Sequence, residues 1–493
     1  MERDPWYCMR LALLVSFLGM SALAAGQRVQ GASATTGSAA TSRQTSDVTT
    51  SGGKAGAVPY FSSATNIQSS HISDSGGIVS IGEPLSALSV NNVINPLVCG
   101  ESTPPSWCSG SDVGGWINAA IHELPGNGTA TYGCGMVQLP YQSSLSFSTQ
   151  IVKPQCTIID LNQSTIEFTV STAGTAAIWV GDSFTGGPPM PGGIKNGRIF
   201  GNTGQNTSQS WGILLGDSSS SPTKYATNQT FYDLDVQNFL DDFVIGSNAY
   251  SDTWVGGVIA LSGEAGIHFK GFSGLTNEGE NFSFHGTNFG NAQLHDVLVD
   301  TGALAEVNAS GTSFDYAGGE PGATGCSPST SGSDSISSSG TLFFNASSSH
   351  FERCLGAKFI NCSNECSVAV SNSEMFLSGN LATTDAFGEF APNSNASNAS
   401  FLGVDFENIS AGTNTLQQLF VWGNGDGSLD LFGFRNVFSP VLSGVPLYSG
   451  SAPQGHFDSR AAGSTGHATC WKAGGQIGYC STPLNSSGIC TCN

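Results

Sequence analysis

Charged side chains are scarce in this sequence, and positive ones are the scarcest. Only 10% of the 493 residues are charged, and 15 Lys and Arg stand against 36 Asp and Glu. Proteins that bind nucleic acid neutralise phosphates with Lys and Arg, so the net charge of −21 argues against a nucleic-acid partner. A helical protein of this length would also carry more charge on its solvated faces, and the composition therefore does not favour helices.

Apolar runs long enough to span a membrane are also missing. The N-terminus has a compact apolar run, residues 11–20, which follows Arg3 and Arg10 and precedes the small residues 21–26. This run is too short for a stable membrane anchor, so we predict a cleaved signal peptide over residues 1–26. No later run reaches about 18 apolar residues, and we expect no membrane span in the mature chain. The sequence thus predicts a secreted protein, extracellular or on a cell surface.

Cysteines are few for the length of the chain, but their number is informative. Cys8 lies in the predicted signal peptide, which leaves twelve of the thirteen cysteines, an even number. In an oxidising compartment this favours structural disulfides over metal ligands, although four thiols in the tail could instead bind zinc. The candidates are Cys99 with Cys108, then Cys354, Cys362 and Cys366, and in the tail Cys470, Cys480, Cys490 and Cys492. Pairing is otherwise left open.

Glycine and small polar residues are abundant, with 65 Gly in the chain. Such residues suit strands joined by many tight turns. Residues 27–77 have almost no large apolar side chains and are predicted to be flexible. A β domain is expected over residues 78–450, and a Cys-rich tail over residues 451–493.

The first informative stretch is a short amphipathic helix, residues 112–121, which the Pro-Gly turn at 125–128 ends. Strand-like pieces follow at 135–140, 150–154, 157–161 and 164–168. This order resembles the opening of the pectate-lyase-like superfamily, in which a helix caps the first coil. The superfamily includes polysaccharide lyases, polygalacturonase-type hydrolases and tailspike-like proteins. The resemblance implies an all-β fold, a right-handed parallel β-helix with a short N-terminal capping helix.

A repeat supports the solenoid independently of the resemblance. Residues 308–314 (NASGTSF) and 345–351 (NASSSHF) match locally, and successive coil starts fall roughly 23 to 37 residues apart. Each coil cannot bury an apolar face alone, and stacking coils would align inward Val, Ile, Leu and Phe in ladders. Antiparallel sandwiches or a jelly roll are the alternative.

The candidate catalytic residues are the paired acids Asp241 and Asp242, together with Glu264. Glu264 follows Asp241 by 23 positions, close to one coil, so the two would lie on neighbouring rungs. Glycoside hydrolysis uses one carboxylic acid and one carboxylate in this way. The pair could match the D-D of polygalacturonases, but the sequence has no G-H-G. In the alternative, these acids are turn residues.

Four residues are candidates for substrate binding. Trp211, Tyr250 and Trp254 lie in the coils that bear the acids, and aromatic faces pack well on sugar rings. Asn291 follows Glu264 by 27 positions and could extend the polar stack. Aromatic residues in strands are otherwise core residues.

No dedicated metal site is predicted, and Ca²⁺ is left open as a cofactor. A lyase would need a basic residue, Lys270 or Lys224, beside clustered acids that bind the ion. The acids in question are Asp233, Asp235, Asp241 and Asp242. His268, His285 and His295 lack the spacing of a metal pair and are interpreted as coil-surface or core residues.

The sequence therefore predicts a secreted carbohydrate-active protein that binds and cleaves an extracellular polysaccharide, as a glycoside hydrolase or a polysaccharide lyase. The alternatives are a non-catalytic surface or adhesive β-helix and a tailspike-like receptor-binding protein. The protein would be a monomer or a homotrimer.

Overall fold

The structure is a computed structural model of the chain. It describes residues 57–63, 66–75, 78–81, 93–124, 134–183, 191–202, 208–219, 223–271, 279–317, 334–353, 358–377, 386–390, 397–408, 420–422, 427–432, 448–450, 457–458, 469–471 and 477–479. The predicted signal peptide lies outside the described residues. The chain divides into two compact units, Met1–Ser80 and Ile81–Asn493.

The N-terminal strands form a small sheet of their own. They are β1 (Ala57–Ser63), β2 (Asn66–Ser75) and β3 (Ile78–Ile81), in the order β1-β2-β3. β1 and β2 pair antiparallel. Both strands lie within residues 27–77, for which flexibility stays a prediction.

The second unit begins with a short strand and two helices. Its first elements are β4 (Val93–Ile94), a 3₁₀-helix (Pro96–Gly100), α1 (Val113–Glu123), β5 (Gly135–Gln138), β6 (Ser144–Phe147), β7 (Ile151–Lys153), β8 (Thr157–Phe168), β9 (Ala176–Val180), β10 (Gly192–Gly201), β11 (Trp211–Leu215), β12 (Ala226–Thr227), β13 (Gln229–Gln237), β14 (Asp241–Ile245), β15 (Ala249–Tyr250), β16 (Thr253–Val255), β17 (Val258–Ala260) and β18 (Ala265–Phe269).

The same pattern of short strands continues towards the C-terminus. The remaining elements are β19 (Phe282–His285), β20 (Asn288–Gly290), β21 (His295–Val299), β22 (Leu304–Ser310), β23 (Ser313–Ala317), β24 (Ile336–Ser338), β25 (Thr341–Ser347), β26 (His350–Arg353), β27 (Ile360–Cys362), β28 (Cys366–Ser371), β29 (Glu374–Leu377), β30 (Gly388–Phe390), β31 (Ser397–Leu402), β32 (Asp405–Asn408), β33 (Phe420–Trp422), β34 (Gly427–Phe432), β35 (Tyr448–Gly450), β36 (Phe457–Asp458), β37 (Thr469–Trp471) and β38 (Ile477–Tyr479).

Most of these strands stack into three long parallel sheets; β12 and β15 form a separate parallel pair, and β37 and β38 an antiparallel one. The first sheet contains β4, β5, β8, β10, β13, β16, β19, β22, β25, β28, β31, β34 and β36. The second contains β6, the C-terminal halves of β8, β10 and β13, then β17, β20, β23, β26, β29 and β32. The third runs β7-β9-β11-β14-β18-β21-β24-β27-β30-β33-β35. Each pair joins one coil to the next, which confirms the predicted parallel β-helix.

Stacked side chains fill the interior, as expected for in-register coils. On the second sheet, Phe289, Phe314 and Phe351 form a ladder with ring centroids 4.9 Å apart at each step and interplanar angles of 2° and 10°. All three are buried. Such ladders arise because each inward position meets the same position of the next coil, one strand spacing away.

The predicted capping helix is α1. The carboxylate of Asp112 caps it by accepting the Gly115 N–H at 2.9 Å, and its buried face includes Ile117, Ala120 and Ile121. The helix contacts β5, β6 and β7 at the N-terminal end of the solenoid. No helix among the described residues combines the length and the apolar character that crossing a bilayer requires.

The described residues contain three disulfides. Cys99 bonds to Cys108 before the capping helix, and Cys362 bonds to Cys366 across the turn between β27 and β28. The third, Cys134–Cys156, was not anticipated from the sequence. Cys354, Cys480, Cys490 and Cys492 lie outside the described residues, and only the backbone of Cys470 is described.

Candidate functional site

The candidate site lies on the outer surface of the third sheet, where β14, β18 and β21 are neighbours. Asp241 of β14 is in register with Trp211 of β11 and Ala265 of β18. Phe243 packs into the main core, whereas Val244 joins Trp211 in a separate small apolar cluster. Trp211 shares the outer cluster with Val244 and is in register with Asp241, so these three side chains belong to the outer face, although the three-residue step from Asp241 to Val244 breaks strict alternation.

His268 is the centre of the site. It is in register with Val244 and therefore points to the same outer face. Its Nδ1 lies 3.0 Å from Oδ2 of Asp241, and its Nε2 lies 3.0 Å from Oδ1 of Asp300. Burial opposes a charge on the ring, but these two hydrogen bonds outweigh it and raise the pKa of His268 to about 9. At neutral pH the ring is an imidazolium that donates a hydrogen bond to each carboxylate.

Lys270 and Glu264 surround this triplet. The Nζ atom of Lys270 lies 3.5 Å from Nε2 of His268, 3.9 Å from Oδ2 of Asp300 and 5.6 Å from the ring centroid of Trp211. Glu264 and Asp241 each place a carboxylate oxygen within 4.8 Å of the other and of the His268 ring. We call Asp241, Glu264, His268, Lys270 and Asp300 the His268 cluster.

The two more accessible carboxyls of the cluster have opposite pKa shifts. Burial, reinforced by the nearby charge of Asp241, raises the pKa of Glu264, although His268 and Lys270 act against it. Burial also works to raise the pKa of Asp300, but the hydrogen bond and charge of His268, followed by the charge of Lys270, outweigh it and lower that pKa. Glu264 is therefore the better proton donor of the two, and Asp300 stays ionised to a lower pH.

Such a split is the arrangement that acid–base catalysis needs. Two carboxyl groups whose environments push their pKa values apart can serve as proton donor and as base or nucleophile. Asp300 has 38% of its side chain exposed, whereas Asp241 has none and His268 has 2%. Glu264 and Asp300 can therefore touch a bound polymer, while Asp241 and His268 position them.

Solved structures with the same type of fold were found by comparison. One protein of Geobacillus virus E2, ORF18, is 14% identical with a TM-score of 0.46, over 78% of this chain and 68% of that one. The alginate lyase from Paenibacillus sp. is 10% identical with a TM-score of 0.40, over 70% and 97%. The Streptococcus pneumoniae surface protein and adhesin PfbA is 13% identical with a TM-score of 0.43, over 74% and 100%.

A bacteriophage tailspike is another of the similar solved structures. Tailspike protein 4 of bacteriophage CBA120 is 12% identical with a TM-score of 0.47, and this chain spans 46% of that chain's length. No family model and no curated protein matches the sequence. At these identities the assignment of the β-helix rests on the strand pairings of the chain itself, and the activity has to be argued from the site.

Two of the candidate site residues belong to the interior, which corrects their predicted roles. Asp242 is fully buried at the start of β14, and its Oδ1 accepts the Phe239 N–H at 3.2 Å. Burial raises its pKa well above the usual range for Asp. Trp254 is 1% exposed and packs between Phe231 and Phe243 at centroid distances of 5.1 and 5.2 Å. Neither side chain is accessible to a polymer.

Tyr250 and Asn291 lie on other elements. Tyr250 is half-buried in β15 and pairs with Thr227 of β12. Asn291 is exposed, with a φ of 54°, in the turn after β20. Its neighbour on the previous coil is Leu261, because Gly290 pairs with Ala260. Asn291 therefore does not extend the stack of Glu264, and the 27-residue spacing misplaced it because turn lengths differ between coils.

The four acids suggested for Ca²⁺ do not converge. Asp235 is on the second sheet, 3.3 Å from the Nε atom of Arg198, and Asp233 is exposed at the bend before it. Asp241 is on the third sheet and Asp242 is buried in the interior. Within the His268 cluster, each imidazole nitrogen faces a carboxylate oxygen at 3.0 Å.

Sequence reasoning missed His268, Lys270 and Asp300 as site residues. His268 was interpreted as a surface or core residue, and it is buried, but its hydrogen bonds make it the organising group. The signal was in the alignment of third-sheet segments, DDFVIG at 241–246, AGIHFKG at 265–271 and HDVLVDTG at 295–302. Aligned on Phe243, Ile267 and Val297, which are in register, these segments put His268 on the coil between that of Asp241 and that of Asp300.

Proposed function

We propose that this protein is a carbohydrate-active enzyme that hydrolyses an extracellular polysaccharide on the outer face of the third sheet. The observation that carries the proposal is the arrangement of three carboxyls around one imidazole: Asp241 and Asp300 are each 3.0 Å from His268, and Glu264 lies within 4.8 Å of Asp241 and of the ring. The opposite directions of the pKa shifts of Glu264 and Asp300 support it. The long outer face of a β-helix suits an extended polymer. Trp211 lies beside the acids, but it is buried and Lys270 lies over its ring, so it forms part of the wall of the site and not an open face for a sugar. The fold by itself does not assign this activity.

In the proposed reaction, the protonated carboxyl of Glu264 gives its proton to the glycosidic oxygen as the bond to the anomeric carbon breaks. The carboxylate of Asp300 either takes a proton from the attacking water or attacks the anomeric carbon itself, and water then releases the sugar. His268 keeps Asp300 ionised and oriented, and Asp241 holds the imidazolium in place. The anomeric configuration of the first product distinguishes the two routes.

The test is a screen of purified full-length protein against a polysaccharide panel, with and without a chelator. We expect release of reducing ends, and a loss of about 10²- to 10⁴-fold in Glu264→Gln and Asp300→Asn. Glu306→Gln and Asp233→Asn are matched controls, since Glu306 is in β22 of the first sheet and Asp233 is exposed in β13. Unchanged cleavage in both site variants would refute the assignment, and unsaturated products would refute hydrolysis.

Export and assembly belong to the same proposal. N-terminal sequencing of the protein recovered outside expressing cells tests cleavage after residue 26, and an intact N-terminus there would contradict it. Native mass measurement distinguishes a monomer from a homotrimer.

A further inference from the structure

A second group of ionisable side chains lies on a different face of the solenoid. On the second sheet, His350 of β26 is in register with Ser313 of β23 and Glu374 of β29. Two residues further along the same strands, Asp315 is in register with Glu352. The residues between these two columns, such as Phe314, Phe351 and Met375, are core residues, so the ionisable side chains lie on the outer surface. We call Asp315, His350, Glu352 and Glu374 the His350 cluster.

The distances within the His350 cluster are too long for direct hydrogen bonds. Nε2 of His350 lies 3.6 Å from Oδ1 of Asp315 and 3.6 Å from Oε2 of Glu352, and Nδ1 lies 3.6 Å from Oε2 of Glu374. Hydrogen bonds of this kind span about 2.7 to 3.2 Å. One nitrogen and two oxygens therefore face a common point without closing on one another.

The two carboxylate oxygens of Asp315 differ in their hydrogen bonding. Its Oδ2 accepts the Ser313 hydroxyl at 2.6 Å. Its Oδ1 is buried and receives no hydrogen bond from the described residues. A buried carboxylate oxygen without a donor is destabilising, and in native proteins a bound water or ion often accounts for such an atom.

An open cavity of about 310 Å³ adjoins His350 and Glu374, at the edge of the cluster away from Asp315 and Glu352. Its walls carry hydroxyl, amide, imidazole and carboxylate groups, from Thr312, Ser313, Ser349, His350, Asn372 and Glu374. The opening gives solvent access to the imidazole and to Glu374.

We propose that the His350 cluster binds a divalent transition-metal ion of the Zn²⁺ type through Nε2 of His350, Oδ1 of Asp315 and Oε2 of Glu352. These three atoms lie within 4.8 Å of one another. Tetrahedral ligands bound to zinc at about 2.0 to 2.2 Å stand about 3.4 Å apart, which is close to the 3.6 Å observed. Solvent water completes the coordination, since all three side chains are partly exposed.

Glu374 has a separate part in this site. A histidine that binds a metal through one nitrogen commonly donates the other N–H to a carboxylate, which fixes the ring and its tautomer. Glu374 is the carboxylate on the Nδ1 side. The imidazole ligand also favours a zinc-like ion over Ca²⁺, which takes oxygen ligands.

The experiment uses the full-length, untagged protein after chelation and dialysis. Calorimetric titration with Zn²⁺, and Co²⁺ absorption in parallel, should show one saturable equivalent that His350→Asn and Asp315→Asn weaken by more than about 100-fold. Glu374→Gln should weaken binding by about 10-fold, because it orients the ring without touching the ion. Ca²⁺ should not compete at equal concentration.

Two controls separate this site from the His268 cluster. His285→Asn removes an exposed histidine of β19, and His268→Asn removes the other cluster's imidazole; each should retain the equivalent. Absence of saturable Zn²⁺ binding in the wild type, or equal binding in His350→Asn, would overturn the proposal. Loss in His268→Asn alone would assign the metal to the other cluster and refute this site. None of these outcomes depends on polysaccharide cleavage.

Discussion

His268 and His350 are both imidazoles framed by carboxylates on the outside of one solenoid, yet they are built differently. His268 is 2% exposed and lies 3.0 Å from each of two carboxylates, whereas His350 is 36% exposed and lies 3.6 Å from each of three. The ring of His268 is within hydrogen-bonding distance of both its carboxylates, whereas the ring of His350 is too far from its three carboxylates for direct hydrogen bonds. The comparison teaches that hydrogen-bond distance and burial, rather than residue type, decide whether such a cluster orients carboxyl groups or is open to a ligand.

The strongest test of this difference is removal of each imidazole. His268→Asn leaves buried Asp241 without its countercharge, so we expect the free energy of unfolding to fall by about 3 to 5 kcal/mol. Polysaccharide cleavage should fall by more than about 100-fold, because Asp300 loses its orienting cation. His350→Asn in the metal-free protein should cost less than about 1 kcal/mol, since its ion pairs are long and exposed. Urea unfolding measures both, and equal losses would abolish the comparison.

A second test uses pH, because the pKa of His268 rises from 6.5 to about 9 on folding. A raised pKa means that the folded state holds the proton more tightly than the unfolded state. The contribution of His268 is therefore complete below pH 6.5 and is lost as the pH rises through about 9. Its size is about 3 kcal/mol.

The measurement is the difference in unfolding free energy between the wild type and His268→Asn across that pH range. Burial lowers the pKa of Lys153 to about 7, which gives an opposite slope above neutrality. That slope is common to both proteins and cancels in the difference. A difference that does not change between pH 6.5 and 9 would show that His268 is not held as an imidazolium.

A third test adds Zn²⁺. An ion that binds only the folded protein stabilises it by about 2.7 kcal/mol at 100 times its dissociation constant. We expect this gain in the wild type and in His268→Asn, and not in His350→Asn. Thermal or urea unfolding with and without Zn²⁺ measures it. A gain that survives in His350→Asn would separate the stabilisation from the His350 cluster.

The fold was predictable because its cause is local and repeated. Alternating apolar residues around Phe314 and Phe351 recur coil after coil, and the capping helix has a short amphipathic pattern that ends at a Pro-Gly turn. The neighbouring positions of Asp241 and Glu264 followed from the same coil length, and the structure places their carboxylates within 4.8 Å of each other.

The remainder of the site could not be predicted, because it depends on the length of each turn. Between His268 and Asp300 the chain makes a full coil whose turns differ from those before it, so a fixed spacing does not bring the two together. Whether Trp254 points inward and Trp211 outward depends likewise on where each strand begins. Shifting a strand by one residue exchanges its inward and outward faces, and periodicity alone does not fix where the strand begins.

The smallest expected effect concerns Lys270, the ammonium group of the His268 cluster. Like-charge repulsion from Lys270 works to lower the pKa of His268, and its positive charge also lowers the pKa of Asp300 and Glu264. Lys270→Gln should therefore move the pKa of His268 upward by less than about one unit, because the ammonium is partly exposed and screened. The pH limits of cleavage should also move upward, since His268, Asp300 and Glu264 would all lose their protons at a higher pH. Imidazole NMR shifts measured across the pH range report the change directly.

Lys224→Gln is the matched control, because Lys224 also lies over a tryptophan, 5.7 Å from the ring centroid of Trp179. A downward shift in Lys270→Gln, or an equal shift in Lys224→Gln, would mean that the ammonium does not act on the imidazolium through its charge.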